Sequence, residues 1–256
     1  MPTLRFKFDV IATLLHFVTT ALALSTGSFV GSFSGACLTA MEFVAFMFHI
    51  FYLTCFRGES GIPRKIKWAE YGISATLGTI AVLHATSAEY PQWEWVLLFM
   101  FIGTAQQLIG LLVDVKYAVG IATLWPAFLA GCFIQLGEYV FVGYVGDNYT
   151  NPVYWTYVAF YGLFGIHALV GFSLKVREHG DYVEEVYSLY GFIAKLAVFY
   201  AEYFYSIGVG ELWISLVASA AFIITLIFTL HLFLRAMVGW SRVTSTVRSL
   251  RLRWKP

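Results

Sequence analysis

The chain has 256 residues, of which 59% are hydrophobic and 12% charged, with 16 lysines and arginines against 15 aspartates and glutamates. A mean hydropathy of +0.74 excludes an ordinary soluble domain and points to a polytopic membrane protein. The net charge of +1 gives no reason to expect a nucleic-acid partner.

Eight apolar runs follow one another with short polar breaks: Phe8–Leu24, Gly35–Phe56, Lys65–Ala88, Glu94–Val115, Tyr117–Tyr144, Pro152–Val176, Tyr182–Ser206 and Leu212–Trp240. Each is close to or above the ~20 residues that a helix needs to cross a bilayer. The first run lacks a small-residue cleavage site behind it, so it is expected as a helix and not as a removed signal peptide. Cys37, Cys55 and Cys132 all lie in apolar runs and read as small buried residues, not as a disulfide framework or a metal set.

Positive charge falls on alternate connections. Arg5 and Lys7 precede the first run; Arg57 and Arg64 stand between the second and third, and Lys65 and Lys67 open the third at that same end. Lys116 follows the fourth run, and Lys175 and Arg177 mark the end of the sixth. The tail carries Arg235, Arg242, Arg248, Arg251, Arg253 and Lys255, and the other four connections contain no lysine or arginine. This pattern predicts an even number of spans with both ends in the cytoplasm. Asn148-Tyr-Thr150, a glycosylation sequon, falls in a connection assigned to the outside.

Lys195 stands in the middle of the seventh run, in YSLYGFIAKLAVFYAE. An ammonium at bilayer depth costs at least ~2.5 kcal/mol. Near a helix end such a lysine snorkels to the headgroups. Here roughly 12 residues, about 18 Å of rise, separate it from the start of the helix. A lysine in an apolar pocket can form a Schiff base with an aldehyde.

Glu70 lies about six residues into the third run. A lysine arm points back toward its helix N-terminus, so the two can meet, and Glu70 would then be a counter-ion. The alternative is an interfacial glutamate paired with Lys67 or Arg64. Glu42, Glu138 and Glu202 are also intramembrane. Their estimated depths group them in the outer half, as an outer proton path or as three isolated acids. Lys195 and Glu202 share a helix face. His16 and His49 lie nearer the cytoplasmic side and, with Glu70, outline a polar pocket able to take up a released proton. The alternative for each is a hydrogen-bonded core histidine. Their spacing does not suggest a metal site, and His84, His167 and His231 read as structural. Aromatics are 19% of the chain. Trp93, Trp95, Tyr154, Trp155 and Trp240 suit the interface; Trp125, Phe160, Tyr161 and Phe164 are candidates to line whatever Lys195 binds, or core residues.

Two stretches carry a family resemblance. Ile66–Thr76, IKWAEYGISAT, resembles the third-helix signature of the heliorhodopsins, roughly Arg-Trp-x-Glu-Tyr-Ser-x-Ser-Ala. Asp181–Lys195, DYVEEVYSLYGFIAK, resembles their seventh-helix run. The first helix and the second, with His49, are also similar, so the likeness covers about residues 4–207. It implies an all-α, rhodopsin-like seven-helix retinal domain over 1–207 with a cytoplasmic N-terminus. Residues 208–256 then add an eighth transmembrane helix and a basic tail.

By the same resemblance, all-trans retinal is bound covalently on Lys195 with Glu70 as counter-ion, and His16 and His49 match the histidines of a cytoplasmic-side cavity. Gln106 and Trp125 match retinal-pocket positions; Phe164, from the aromatic candidates, and Gly191, one turn before the lysine, are counted with them as cofactor-binding. Gly191 and Gly72 stand where the family has serine, and Glu138 falls in a segment that is apolar in the family. Most heliorhodopsins transport no ions, whereas some viral members resemble light-gated proton conductors. The extra carboxylates favour that branch.

The expectation is therefore a multi-pass retinal photoreceptor with no enzymatic activity, whose partners are retinal, the lipid bilayer, protons and a second copy in a homodimer. It conducts protons under light through Glu202, Glu138 and Glu42. The alternatives are a non-transporting light sensor acting through its cytoplasmic face, and a transporter or enzyme of lipid-like substrates with a buried lysine.

Overall fold

The computed structural model describes residues 4–56, 64–86, 93–115, 152–160, 163, 180–227, 229–231 and 234. Secondary structure among the described residues is helical, with no strand. The helices are α1 (Leu4–Ser25), α2 (Gly27–Gly31), α3 (Phe33–Cys55), α4 (Arg64–Thr86) and α5 (Trp93–Val115). Residues 152–160 form α6, Gly180–Ser206 forms α7 and Glu211–His231 forms α8. The predicted run Tyr117–Tyr144 lies outside the described residues, and Pro152–Val176 is described only through α6 and residue 163.

Lys7–Ser25, Phe33–Cys55 and Glu211–His231 are long and apolar enough to cross a membrane. A helix of 23 residues, such as α3, is about 35 Å long, more than the ~30 Å of a hydrocarbon core. The arrangement of polarity agrees. On α1 the buried face carries Asp9, His16, Thr19 and Thr20, while Ile11, Leu14, Phe17 and Val18 are exposed. On α5, Leu97, Leu108 and Phe101, the last 73% exposed, face outward. Water would penalise this surface. Lipid favours it, and polar groups then belong inside, paired.

Chain neighbours pack side by side: α1 on α3, α3 on α4, α4 on α5. α7 lies against α1, α2, α3 and α4, so its side chains reach groups on all four. The central apolar layer includes Leu38 and Met41 of α3, Leu83 of α4 and Val198, Phe199 and Tyr203 of α7. α6 is tied to α7 where the Tyr190 hydroxyl donates to the Phe160 carbonyl.

The α1–α3 connection is not an open loop. Ser32 caps α3 by accepting from the Gly35 N–H at 3.0 Å, which satisfies one of the orphan donors of the first turn. The short α2 before it turns Phe29 fully inward, onto Phe199 and Tyr203 with ring centroids 5.4 and 5.3 Å away. Gly35 makes this turn possible, because a Cβ there would run into the Phe29 carbonyl.

α7 ends in a glycine stop. Gly208 has φ of 78°; its N–H bonds to the Tyr205 carbonyl, and the Val209 N–H bonds to the Phe204 carbonyl. This paired pattern closes a helix with glycine in the left-handed region and turns the chain into α8. α8 meets the bundle along a narrow stripe, with Ile214 packed on Val153 and Ala201. Most of its other side chains are exposed, Leu212 by 70%. Buried Thr225 and Thr229 donate to the carbonyls of Ala221 and Thr225 on their own helix, which meets their hydrogen-bonding need without a neighbour.

Gly35→Ala tests the tight α2–α3 turn. The added methyl must displace backbone, so a loss of about 1–3 kcal/mol is expected for this overpacking, read as a lower midpoint of thermal unfolding in detergent. A wild-type midpoint would show that the turn has room.

Candidate functional site

The site grows from antiparallel register between α1 and α3. Asp9 and His16 lie two turns apart on one face of α1, and His49 and Glu42 lie two turns apart on the facing side of α3. Moving forward on α1 therefore moves back on α3. Asp9 Oδ1 meets His49 Nδ1 at 3.2 Å, and Glu42 Oε2 meets His16 Nδ1 at 2.5 Å. The two imidazoles stack between these pairs, 5.4 Å apart and 21° from parallel. All four residues are buried.

The second half comes from α4 and α7. Lys195 Nζ donates to Glu70 Oε1 at 2.5 Å, with side-chain exposures of only 12% and 5%. The other Glu70 oxygen accepts from the Tyr52 hydroxyl at 3.1 Å. Nζ also lies 5.5 Å from the centroid of the Tyr71 ring, within reach of a cation–π contact. Tyr52 is edge-on to His49, 5.6 Å between centroids, and Phe192 is edge-on to His16 at 5.2 Å. The halves thus join into one buried polar core with Phe192 as an apolar wall.

A small cavity touches His16, His49, Tyr52, Glu70 and Lys195, with Lys67 at its edge. Its free volume, about 10 Å³, suits about one water molecule. Such a water would have nitrogen and oxygen partners on several sides. The arrangement can hold a positive charge at Nζ against a carboxylate, and it surrounds that pair with groups able to take or give a proton.

Several candidate residues are brought together here: Lys195, Glu70, His16 and His49. Glu42, grouped by its estimated depth with Glu202, instead meets His16. Glu202 lies two turns along α7 from Lys195 and accepts from the Ser34 hydroxyl at 2.8 Å. The apolar layer of Leu38, Met41, Val198 and Phe199 occupies the intervening turns of α3 and α7. Gly191 packs toward Tyr71, where an added Cβ would stand 3.7 Å from the ring. Trp125, Glu138 and Phe164 lie outside the described residues, and Gln106 is described only as part of the α5 backbone. Sequence reading passed over Asp9, Ser34, Tyr52 and Tyr71. Asp9, two turns from His16 on α1, was the one with a visible signal.

Among the described residues, no group of three or more His, Cys, Asp or Glu side chains is placed to hold a metal ion. No protein-family model, curated protein or solved structure matches the chain.

The Lys195–Glu70 pair is open to a double-mutant cycle on the purified protein. Glu70→Gln leaves a buried cation without its counter-charge, a loss of about 3–5 kcal/mol. Lys195→Met strands the carboxylate at a similar cost. The double variant Glu70→Gln/Lys195→Met is expected to be more stable than either single one, with a coupling seen in denaturant unfolding. Strictly additive losses would mean that the two charges do not depend on each other.

Proposed function

We propose that the chain is a heliorhodopsin-like photoreceptor that carries retinal on Lys195 and conducts protons under light. The observation that supports it best is the buried contact of Lys195 with Glu70 at 2.5 Å. A lysine held there for packing alone would be replaced at lower cost by an apolar side chain. A lysine that must carry charge after joining an aldehyde needs a carboxylate at this distance and shelter from bulk water; the Lys195 side chain is 12% exposed and its cavity has room for about one water molecule. Retinal, joined through its aldehyde to Nζ with loss of water, supplies visible absorption and a light-driven change of shape at that nitrogen.

The chain's own residues provide the rest. Glu70 balances the charge on Nζ and, with Tyr52 fixing its second oxygen, keeps that oxygen in place. His49 and His16 stand next in line, each backed by a carboxylate. A proton leaving Nζ can pass to Glu70 and be stored among the imidazoles, because a neutral imidazole has one ring nitrogen with a lone pair to accept it. Asp9 and Glu42 orient the rings and offset the added charge. Glu202 takes the proton path onward past the apolar layer. In this reading the chain has eight spans with both ends in the cytoplasm, following the distribution of lysine and arginine, and it forms a homodimer.

A second reading, a light sensor that moves no ions, draws on the same apolar layer. Phe199 is fully buried there, and Leu38 and Met41 pack in the same cluster. Conduction requires this layer to part under light; a sensor does not.

Photocurrents in cells supplied with retinal, recorded across voltages at two external pH values, separate the readings. A current whose reversal potential follows the proton gradient is expected. No current from coloured protein at the cell surface would favour the sensor. Lys195→Ala is expected to remove visible absorbance. Colour retained in that variant would overturn the retinal assignment.

A further inference from the structure

The end of the bundle at α2 contains a polar group that the retinal site does not use. Glu202 is buried, accepts one hydrogen bond from Ser34, and leaves its Oε2 without a partner. A buried carboxylate with one hydrogen bond is poorly stabilised as an anion; as a carboxylic acid it needs far less. Ser34 in turn lies 3.4 Å from the hydroxyl of Ser32. Ser32 is only half-buried and caps α3 at the bundle end. Phe29 lies over this corner against Phe199 and Tyr203.

We propose that Glu202, Ser34 and Ser32 form a proton port at the α2 end of the bundle, in which Glu202 rests as a neutral carboxylic acid and the two serine hydroxyls relay its proton to the surface. The inference rests on the conduction reading for its transport role, but the state of Glu202 stands apart from it. In each relay step one O–H bond forms and one breaks. The Ser34 hydroxyl turns from Glu202 toward Ser32 and gives up its proton there, while its oxygen takes the proton from Glu202. The Ser32 hydroxyl donates at rest to the Phe29 carbonyl at 2.8 Å; it turns from that carbonyl to pass its own proton to water as it takes the one from Ser34, so no serine keeps a charge. Glu202 is the first carboxylate on α7 beyond Val198 and Phe199 of the apolar layer, so a proton that crosses the layer arrives there.

Infrared absorption of the full chain in membranes, in H₂O and D₂O, tests the acid. A carbonyl band of a protonated carboxylic acid that moves in D₂O and is absent in E202Q is expected. S34A should move this band to higher frequency through the loss of one hydrogen bond, and S34T should return it. Loss of carboxylate bands in E202Q, or a band unmoved by S34A, would overturn the proposal. Photocurrent tests the relay: S34A and S32A should each lose most of it, and S34T should recover it, with colour unchanged. Full currents in both alanine variants would overturn the route. A wild-type chain without any photocurrent would remove the conduction reading and the port's transport role together, while the infrared band would still decide the state of Glu202.

Discussion

Lys195 and Glu70 meet in a place where neither charge could stay alone. An ammonium and a carboxylate drawn out of water each lose several kcal/mol of solvation, and only a close, well-oriented partner returns it. That condition fixes α7 against α4, because Nζ must stay within hydrogen-bond reach of Oε1. Tyr52 then ties α3 to the same carboxylate. Through the stacked histidines, α3 is tied to α1. Four helices are therefore positioned around one pair of charges. Bonds of this kind are directional where apolar packing between lipid-facing helices is not, so the polar core sets the register and the apolar layer fills in around it.

The same constraint accounts for the distribution of side chains. Polar groups that are costly in lipid are gathered on the inward faces of α1, α3, α4 and α7, and each is given a partner or its own helix carbonyl. Thr20 donates to the His16 carbonyl, Thr39 to Gly35 and Thr76 to Gly72. Where a threonine hydroxyl does cross between helices, it finds tyrosine: Thr19 with Tyr200, Thr26 with Tyr203 and Thr79 with Tyr157. The Glu202 oxygen without a partner departs from this rule, as do one oxygen of Glu42 and the Ser74 hydroxyl. Of the three, Glu202 alone lies beside a half-open chain of hydroxyls.

Helix positions were legible in the hydropathy of the chain because a span is set by its apolar run. The expected run Gly35–Phe56 became Phe33–Cys55, and Tyr182–Ser206 became Gly180–Ser206. The first run starts earlier than its hydropathy, at Leu4, since Arg5 and Lys7 are good helix formers although they are not apolar. α2 was hidden because five residues rich in glycine and serine read as a turn. The meeting of Lys195 with Glu70 could be anticipated, since an intramembrane charge demands an opposite one. The pairing of Glu42 with His16 could not be read from depth along one helix; it depends on the lateral register of α1 against α3, which appears only when both helices are placed. Ser34, Tyr52 and Tyr71 were silent for a different reason. They are uncharged, suit an apolar run, and gain meaning only from the carboxylate or ammonium beside them.

The central claim is that Lys195, held by Glu70, is the covalent attachment point for retinal. The most direct measurement is to add retinal to the purified chain, reduce it with borohydride in the light, digest it and map the retinyl mass by peptide sequencing. A single retinyl adduct on Lys195, formed in proportion to the visible absorbance gained, is the predicted result. An adduct spread over surface lysines, or placed on a lysine other than Lys195, would contradict the account.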